Sequence, residues 1–150
     1  MMMNLKILNT LHLSFCLAVL FFALATYFSY SGTTTFTTKM ASASSYFLLF
    51  PLVALLSITI GNTLFSRILL KARQLETFEQ KTAKYQSGLI IRCALIEGGA
   101  FLNIVAFMLS GNLIFMVFAG ISLLALLSCK PSKAKVVADL ELSFPDTERL

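Results

Sequence analysis

The chain has 150 residues, of which 57% are hydrophobic and 13% are charged, and its net charge is +5. A soluble domain typically has about 25% charged residues, so this composition excludes an ordinary soluble fold and predicts that a lipid bilayer surrounds most of the chain. The basic residues lie in short segments and not along one face, which indicates membrane orientation and argues against a nucleic-acid partner.

The first apolar stretch runs from about Ile7 to Tyr30. It is long enough to cross a hydrocarbon core of about 30 Å as a helix. A signal peptide is the alternative, because Lys6 precedes the apolar run and residues 23–25 resemble a small-residue cleavage site. The run is longer than a signal core and ends in aromatic residues, which favours a span. The single histidine, His12, is interpreted as an interfacial residue of this span.

A Ser- and Thr-rich stretch, residues 31–45, follows and is predicted to be an extracytoplasmic loop. The second span is predicted over residues 46–70. It contains Pro51, which is expected to occupy a first-turn position or to mark a local bend. The span also carries a band of polar side chains, which consists of Thr59, Asn62, Thr63 and Ser66.

Residues 71–87 are the most polar part of the chain. Apolar side chains recur there at helical spacing, which predicts an amphipathic cytoplasmic extension or hairpin, with a continuation of the second span as the favoured form. The third and fourth spans are predicted over residues 88–109 and 112–129, and the turn between them is so short that they must run antiparallel. In the tail, residues 130–150, a short helix capped by Ser132 is expected to lie against the bundle or the membrane surface.

These elements predict a single all-α domain, an integral membrane four-helix bundle that takes up residues 1–150. Its orientation follows from the basic residues, because all of them but Lys39 lie on the same side when Arg92, inside the third span, is set aside. The positive-inside rule places that side, with both termini, in the cytoplasm, and a bacterial inner membrane is the expected location. Lys39 lies alone on the other side. The cytoplasmic residues are Lys6, Arg67, Lys71, Arg73, Lys81, Lys84, Lys130, Lys133, Lys135 and Arg149.

Glu97 is the residue least expected in its span, because it lies about ten residues in, where a charged side chain is costly. The functional hypothesis is a carboxylate that binds an ion or exchanges a proton, with Asn62, Asn103 and Arg92 adjusting its environment. The structural alternative is a neutral or paired Glu97 that holds two helices together. The contact expected from depth is a hydrogen bond between Asn62 and Glu97, and Asn103 is expected to bond a neighbouring helix.

Arg92 lies five residues from Glu97, which turns a helix by about 140°, so the two side chains are not partners within one helix. Arg92 is expected to extend to the cytoplasmic interface, or to reach Glu97 of a neighbouring subunit. Gly98, Gly99 and Ala100 follow Glu97 directly. Small residues let another helix approach closely, so helix packing is their predicted role, and space for a ligand beside the carboxylate is the alternative.

The segment Arg92-Cys-Ala-Leu-Ile-Glu97-Gly-Gly-Ala-Phe101 resembles the carboxylate helix of rotary ATPase proteolipid subunits. In that family a Glu among small residues binds the transported proton or sodium ion, and the resemblance implies this role for Glu97. The order of elements, the run YQSGLIIRCALIEGG and the tail beginning KPSKAK resemble small uncharacterised four-helix membrane proteins of bacteria. That second resemblance implies an architecture and no function.

The sequence shows no nucleophile with its base, phosphate-binding loop, metal cluster or paired carboxylates, so neither an enzyme nor a cofactor is expected. Cys16, Cys93 and Cys129 lie in apolar runs without metal-ligand spacing. The leading hypothesis is a noncatalytic bundle that associates with itself or with another membrane protein. The alternative is a small ion- or proton-linked transporter or channel that uses Glu97.

Overall fold

The structure is a computed structural model that describes residues 5–38, 48–144 and 146–149. Within these ranges the chain is helical and contains no strand beyond one isolated bridge. Lys39, the rest of the predicted loop up to residue 45, the predicted start of the second span at 46–47, and Pro145 lie outside the described residues. The helices are α1 (Leu5–Ser29), α2 (Leu49–Arg73), α3 (Phe78–Ser110), α4 (Ile114–Ser128) and α5 (Lys133–Leu140), followed by a 3-10 turn at Asp146–Arg149.

Three of these helices, α1, α2 and α3, are long and apolar enough to cross a bilayer. Helix α4 has 15 residues, and with a rise of about 1.5 Å per residue it extends about 22 Å, less than the hydrocarbon core. Helices α4 and α5 are long and apolar enough to cross a bilayer only if the two are taken together, and they are bent by 80° at their junction. The described chain is therefore a helical bundle with three candidate spans and a shorter fourth helix.

The outer surface of the bundle is apolar over much of the length of its helices. Large hydrophobic side chains such as Leu13, Phe21, Leu52, Ile60 and Leu102 are exposed. A soluble monomer rarely exposes contiguous apolar surface of this extent, because contact with water is unfavourable. Lipid is the solvent that fits this surface.

Helix α3 is the centre of the bundle, since it contacts α1, α2, α4 and α5. In the most apolar part of α3, 44% of the residues are buried, against 22% in the corresponding parts of α1 and α2. The ring of Phe22 in α1 packs edge to face on Phe101, and further along both helices the ring of Tyr27 stacks on Phe107. Helices α1 and α3 therefore run parallel. The short connections at residues 74–77 and 111–113 make α2 and α4 antiparallel to α3.

Glycines bring α2 and α3 close together. A Cβ atom added at Gly61 would lie 3.3 Å from the backbone oxygen of Arg92. A Cβ atom added at Gly99 would lie 2.9 Å from Ser57 Oγ and 3.2 Å from Ala54 Cα. The lack of a side chain at Gly61 and Gly99 therefore permits the close contact between the two helices.

The three small residues after Glu97 differ in their surroundings. Gly99 lies in the α2 contact, and Ala100 is fully buried in the hydrophobic core. Gly98 lies on the outer side of α3, and a Cβ atom there would have no neighbour within 4 Å. The packing role predicted for Gly98 needs a neighbouring helix, and among the described residues of this chain there is none at that position.

The polar segment at residues 71–87 is helical for most of its length, but it belongs chiefly to α3. Helix α2 ends at Arg73, and the side chain of Thr77 caps α3 by accepting the Gln80 N–H at 3.3 Å. The prediction that this segment continues the second helix is wrong, because the Thr77 cap starts a new helix. With its 33 residues α3 is about 50 Å long, more than a bilayer core requires.

Helix α5 folds back against α2 and α3 at the end of the bundle where α3 begins. Ser132 caps it, as predicted, by accepting the N–H of the residue three positions later. Val136 and Leu140 are fully buried, so the expected apolar side of this helix packs on the bundle. An ion pair of 2.6 Å between Arg73 and Glu141 joins the end of α2 to the end of α5.

The turn between α3 and α4 organises the opposite end. Gly111 ends α3 with a φ of +65°, a conformation that glycine adopts easily. The Asn112 side chain donates to Thr37 O at 3.0 Å and accepts from Thr37 N at 3.3 Å. Two backbone hydrogen bonds complete the contact: Thr35 N donates to Gly111 O, and Leu113 N donates to Thr35 O. The predicted tight turn is confirmed, and it also holds the segment that follows α1.

Gly99→Ala should lower the free energy of unfolding by about 1 to 3 kcal/mol, because the added methyl group overlaps Ser57 and Ala54. Gly98→Ala is the matched control, since it adds the same methyl group to open space. The control should be neutral or stabilising by about 0.4 to 1 kcal/mol. Unfolding in detergent measures both, and equal stabilities would contradict the close contact at Gly99.

Candidate functional site

The polar band of α2 lies on the outer surface of the bundle. Gly61 is one of the residues of α2 that contact α3, and Asn62 is turned from it by about 100°. Asn62 is exposed, and so are Thr59, Thr63 and Ser66. The spacing of i, i+3, i+4 and i+7 places all four side chains on one helix face. We call this set of four residues the α2 polar stripe.

Asn62 is the one member of the α2 polar stripe whose side chain has no hydrogen-bond partner among the described residues. The three hydroxyl groups each donate to the carbonyl oxygen four residues earlier, at 2.8 to 3.0 Å. The Asn62 carboxamide has two donor hydrogens and an acceptor oxygen, all of them unused within this part of the chain. Asn62 lies near the midpoint of α2, where lipid offers no hydrogen bonds.

Glu97 lies on the side of α3 that faces α1. Phe101 follows it by one helical turn on the same face and packs against Phe22 of α1. The Glu97 side chain is half-buried, and no hydrogen bond or ion pair joins its carboxyl group to another described residue. The expected hydrogen bond with Asn62 is absent, because Asn62 points away from α3.

Asn103 serves the contact between α3 and α2. Its side chain is fully buried, and Nδ2 donates to Phe50 O at 2.8 Å and to Gly99 O at 3.0 Å. The expected hydrogen bond to a neighbouring helix is therefore present. Pro51 follows Phe50 in the first turn of α2, one of the two placements expected for it. Six residues separate Asn103 from Glu97, so the two lie on different sides of α3.

Arg92 is held against α2 by an aromatic ring. Its Cζ atom lies 5.1 Å from the centroid of the Phe65 ring, a distance typical of a cation–π contact. Its Nε atom is buried without a hydrogen-bond partner among the described residues. Arg92 and Asn103 thus face α2, Glu97 faces α1 and Asn62 faces outward, so these four residues do not converge on one site.

The structure buries His12, for which the sequence indicates an interfacial position. Its side chain is 6% exposed, because it packs against the last turns of α4. Nε2 of His12 donates to Leu126 O at 2.7 Å and lies 3.8 Å from Sγ of Cys16. Within the described parts of the chain, no three His, Cys, Asp or Glu side chains are grouped so that they could hold a metal ion.

Sequence reasoning also missed a cleft beside His12, between α1 and the end of α4. Its volume is about 390 Å³. The signal was present in the sequence, since Asn9, His12 and Cys16 recur on one helix face, but the partner helix was not predictable from that spacing. The lining residues are Asn9, His12, Leu13 and Cys16 of α1, with Leu127 and Lys130 at the end of α4.

No protein-family model, curated protein or solved structure matches the chain.

Glu97→Gln should preserve folding, because a neutral amide replaces a carboxyl group that has no ionic partner among the described residues. Glu97→Lys should destabilise the protein, since a cationic side chain near the bilayer centre costs about 2.5 to 3.5 kcal/mol. Thermal unfolding in lipid nanodiscs measures both variants. A lysine variant as stable as the glutamine variant would show that position 97 is in contact with water.

Proposed function

We propose that this chain is a noncatalytic four-helix integral membrane protein that acts by associating with itself or with another membrane protein. The unpartnered carboxamide of Asn62 carries the proposal. It lies on an exposed face near the midpoint of α2, where neither lipid nor the rest of the described chain supplies a hydrogen bond. A polar side chain of another transmembrane helix can supply one.

In the proposed architecture α4 is the fourth membrane helix, and both termini and the polar start of α3 lie in the cytoplasm, inside a bacterial inner membrane. The positions of the basic residues support this orientation. Lys6 near the start of α1, Lys71 at the end of α2 and Lys130 after α4 all lie at the same end of the bundle. The positive-inside rule assigns such an end to the cytoplasm.

The α2 polar stripe suits a contact between two copies of the chain. Around a two-fold axis the Asn62 amide of one copy donates to the Asn62 oxygen of the other, so that each carboxamide both donates and accepts. The neighbouring Thr59 and Thr63 side chains are small and their hydroxyl groups are already bonded, so they permit a close approach. Such interhelical hydrogen bonds contribute about 0.6 to 2 kcal/mol in membranes.

Asn62→Leu should weaken self-association about 3- to 30-fold, the change that corresponds to losing this contribution. Asn62→Gln is the matched control, because it keeps a carboxamide at the same position and should retain association. Energy transfer between donor- and acceptor-labelled copies in liposomes, measured over a series of protein-to-lipid ratios, gives the dissociation constants. Equal association of the Leu and Gln variants would contradict the proposed contact.

Cross-linking in native membranes covers the case of a different partner. A photoreactive residue placed at Thr63, in the α2 polar stripe, should form an adduct with that partner. The same residue at Leu102, exposed on α3, is the control. A strictly monomeric chain with no adduct at Thr63 would remove the association hypothesis.

A second candidate function is a small ion- or proton-linked transporter or channel that uses Glu97. It is supported by the half-buried carboxyl group without a described partner, and by the resemblance of its segment to the proteolipid carboxylate helix. Asn62, Asn103 and Arg92 lie on other faces, so the polar surroundings would have to come from water or from another subunit. In this function Glu97 would exchange its ion beside α1.

Glu97→Gln should abolish proton or sodium flux in liposomes if this second function is correct, because the amide cannot release a proton or carry the charge that holds a cation. Asn62→Leu is the comparison variant and should leave flux unchanged, since Asn62 lies on another face. Flux of undiminished rate in Glu97→Gln would reject this function, and so would a wild-type protein without flux under either gradient.

A further inference from the structure

The cleft between α1 and the end of α4 has the size and position of a ligand site. Its volume of about 390 Å³ lies within the range of about 300 to 1,000 Å³ that is usual for small-molecule sites. It opens at the basic end of the bundle, beside the last residues of α4. A molecule in this cleft would therefore lie at the boundary between the apolar surface and the polar end of the protein.

The lining of the cleft is divided by polarity. Leu13, Cys16 and Leu127 present an apolar surface along the two helices. Asn9 and Lys130 are polar and lie toward the ends of the helices, Asn9 about 6 Å along α1 from its first residue. This arrangement matches an amphiphile whose chain follows the helices and whose polar group lies at the bilayer surface.

Two polar groups of this lining are unused. The Lys130 ammonium group is exposed, and no ion pair joins it to an acidic residue in the described part of the chain. The Asn9 Oδ1 atom is buried and accepts no hydrogen bond from the described residues. The cleft thus offers a cation that can pair with an anionic group and an acceptor that needs a hydroxyl or amine donor.

His12 forms the wall of the cleft between these groups. Its Nε2 atom donates to Leu126 O, which fixes the imidazole ring against α4 and keeps the two helices together at this point. Because His12 holds the backbone of the cleft in place, it is unsuitable as a test residue. Lys130 and Asn9 are the residues whose replacement changes the ligand groups alone.

We propose that the cleft binds one anionic phospholipid with a hydroxyl-bearing headgroup, of the phosphatidylglycerol type. The phosphate pairs with Lys130, and an acyl chain lies along Leu13 and Leu127. A headgroup hydroxyl donates to Asn9 Oδ1 once rotation of the Asn9 side chain turns this buried atom toward the cleft. Charge decides the class of lipid, because the basic end of the bundle attracts the anionic lipids of the adjacent leaflet. The site is independent of the α2 polar stripe and of Glu97.

Native mass spectrometry of the purified full chain tests the site, with phosphatidylglycerol and phosphatidylcholine of the same acyl chains as probes. The wild type should retain phosphatidylglycerol in preference to phosphatidylcholine. Lys130→Gln should weaken phosphatidylglycerol binding about tenfold, the effect of losing one charge-assisted contact. Asn9→Leu should weaken it several-fold. Lys71→Gln removes the same charge from the exposed end of α2 and should bind like the wild type.

Three results would overturn the proposal. The first is equal retention of the two lipids by the wild type. The second is equal phosphatidylglycerol binding by Lys130→Gln and Lys71→Gln. The third is full displacement of the lipid by millimolar inorganic phosphate, which would identify a site for free anions. Because Lys130 is exposed, its replacement should leave the unfolding temperature unchanged, so weaker binding cannot be attributed to a misfolded variant.

Discussion

A polar group surrounded by hydrocarbon has no water to bond to, and this constraint acts on the polar side chains of the bundle. The hydroxyl groups of the α2 polar stripe return their hydrogen atoms to their own helix. Asn103 donates to another helix, at Phe50 O. Asn62 and Glu97 do neither within the described chain, so a group outside it must complete their hydrogen bonds. Each of the two candidate functions depends on one of these two side chains without a described hydrogen-bond partner.

The central position of α3 links this membrane chemistry to the polar end of the molecule. Gly61 and Gly99 bring α2 against it, and Asn103 adds a hydrogen bond to the start of α2. Helix α3 then continues beyond the apolar region as far as the Thr77 cap, where α5 packs beside it. A single uninterrupted helix thus contacts each other helix of the described chain.

The sequence predicts the depth of a residue in the bilayer better than the direction in which it points. The three long helices overlap the predicted spans, because apolar length is a local property of the sequence. Asn62 and Glu97 are both near mid-depth, yet they do not meet, because the rotation of α2 is fixed by Gly61 packing on α3. The spacing of apolar residues within one helix does not show which residue contacts a neighbouring helix. The burial of His12 was unpredictable for the same reason, since it depends on which helix lies opposite.

The ends of the helices are also predicted less well from the sequence than the existence of the helices. Thr77 has the side chain of a helix cap, and α3 starts directly after it. The apolar residues of the polar segment keep a helical spacing on both sides of Thr77, so their pattern does not show that α2 ends and α3 begins there. The fourth helix is shorter than its predicted span, because Asn112 and Leu113 belong to the turn that precedes it.

That turn has a consequence for the order in which the protein is made. Thr37 and Asn112, which bond each other at the end of the bundle opposite α5, are 75 residues apart in the chain. During synthesis the segment after α1 is made long before Asn112. Its hydrogen bonds with Asn112 can therefore form only after α3 has been made. This end of the bundle is therefore assembled late, and a nascent chain stopped before Gly111 lacks the described hydrogen bonds between this turn and residues 35–37.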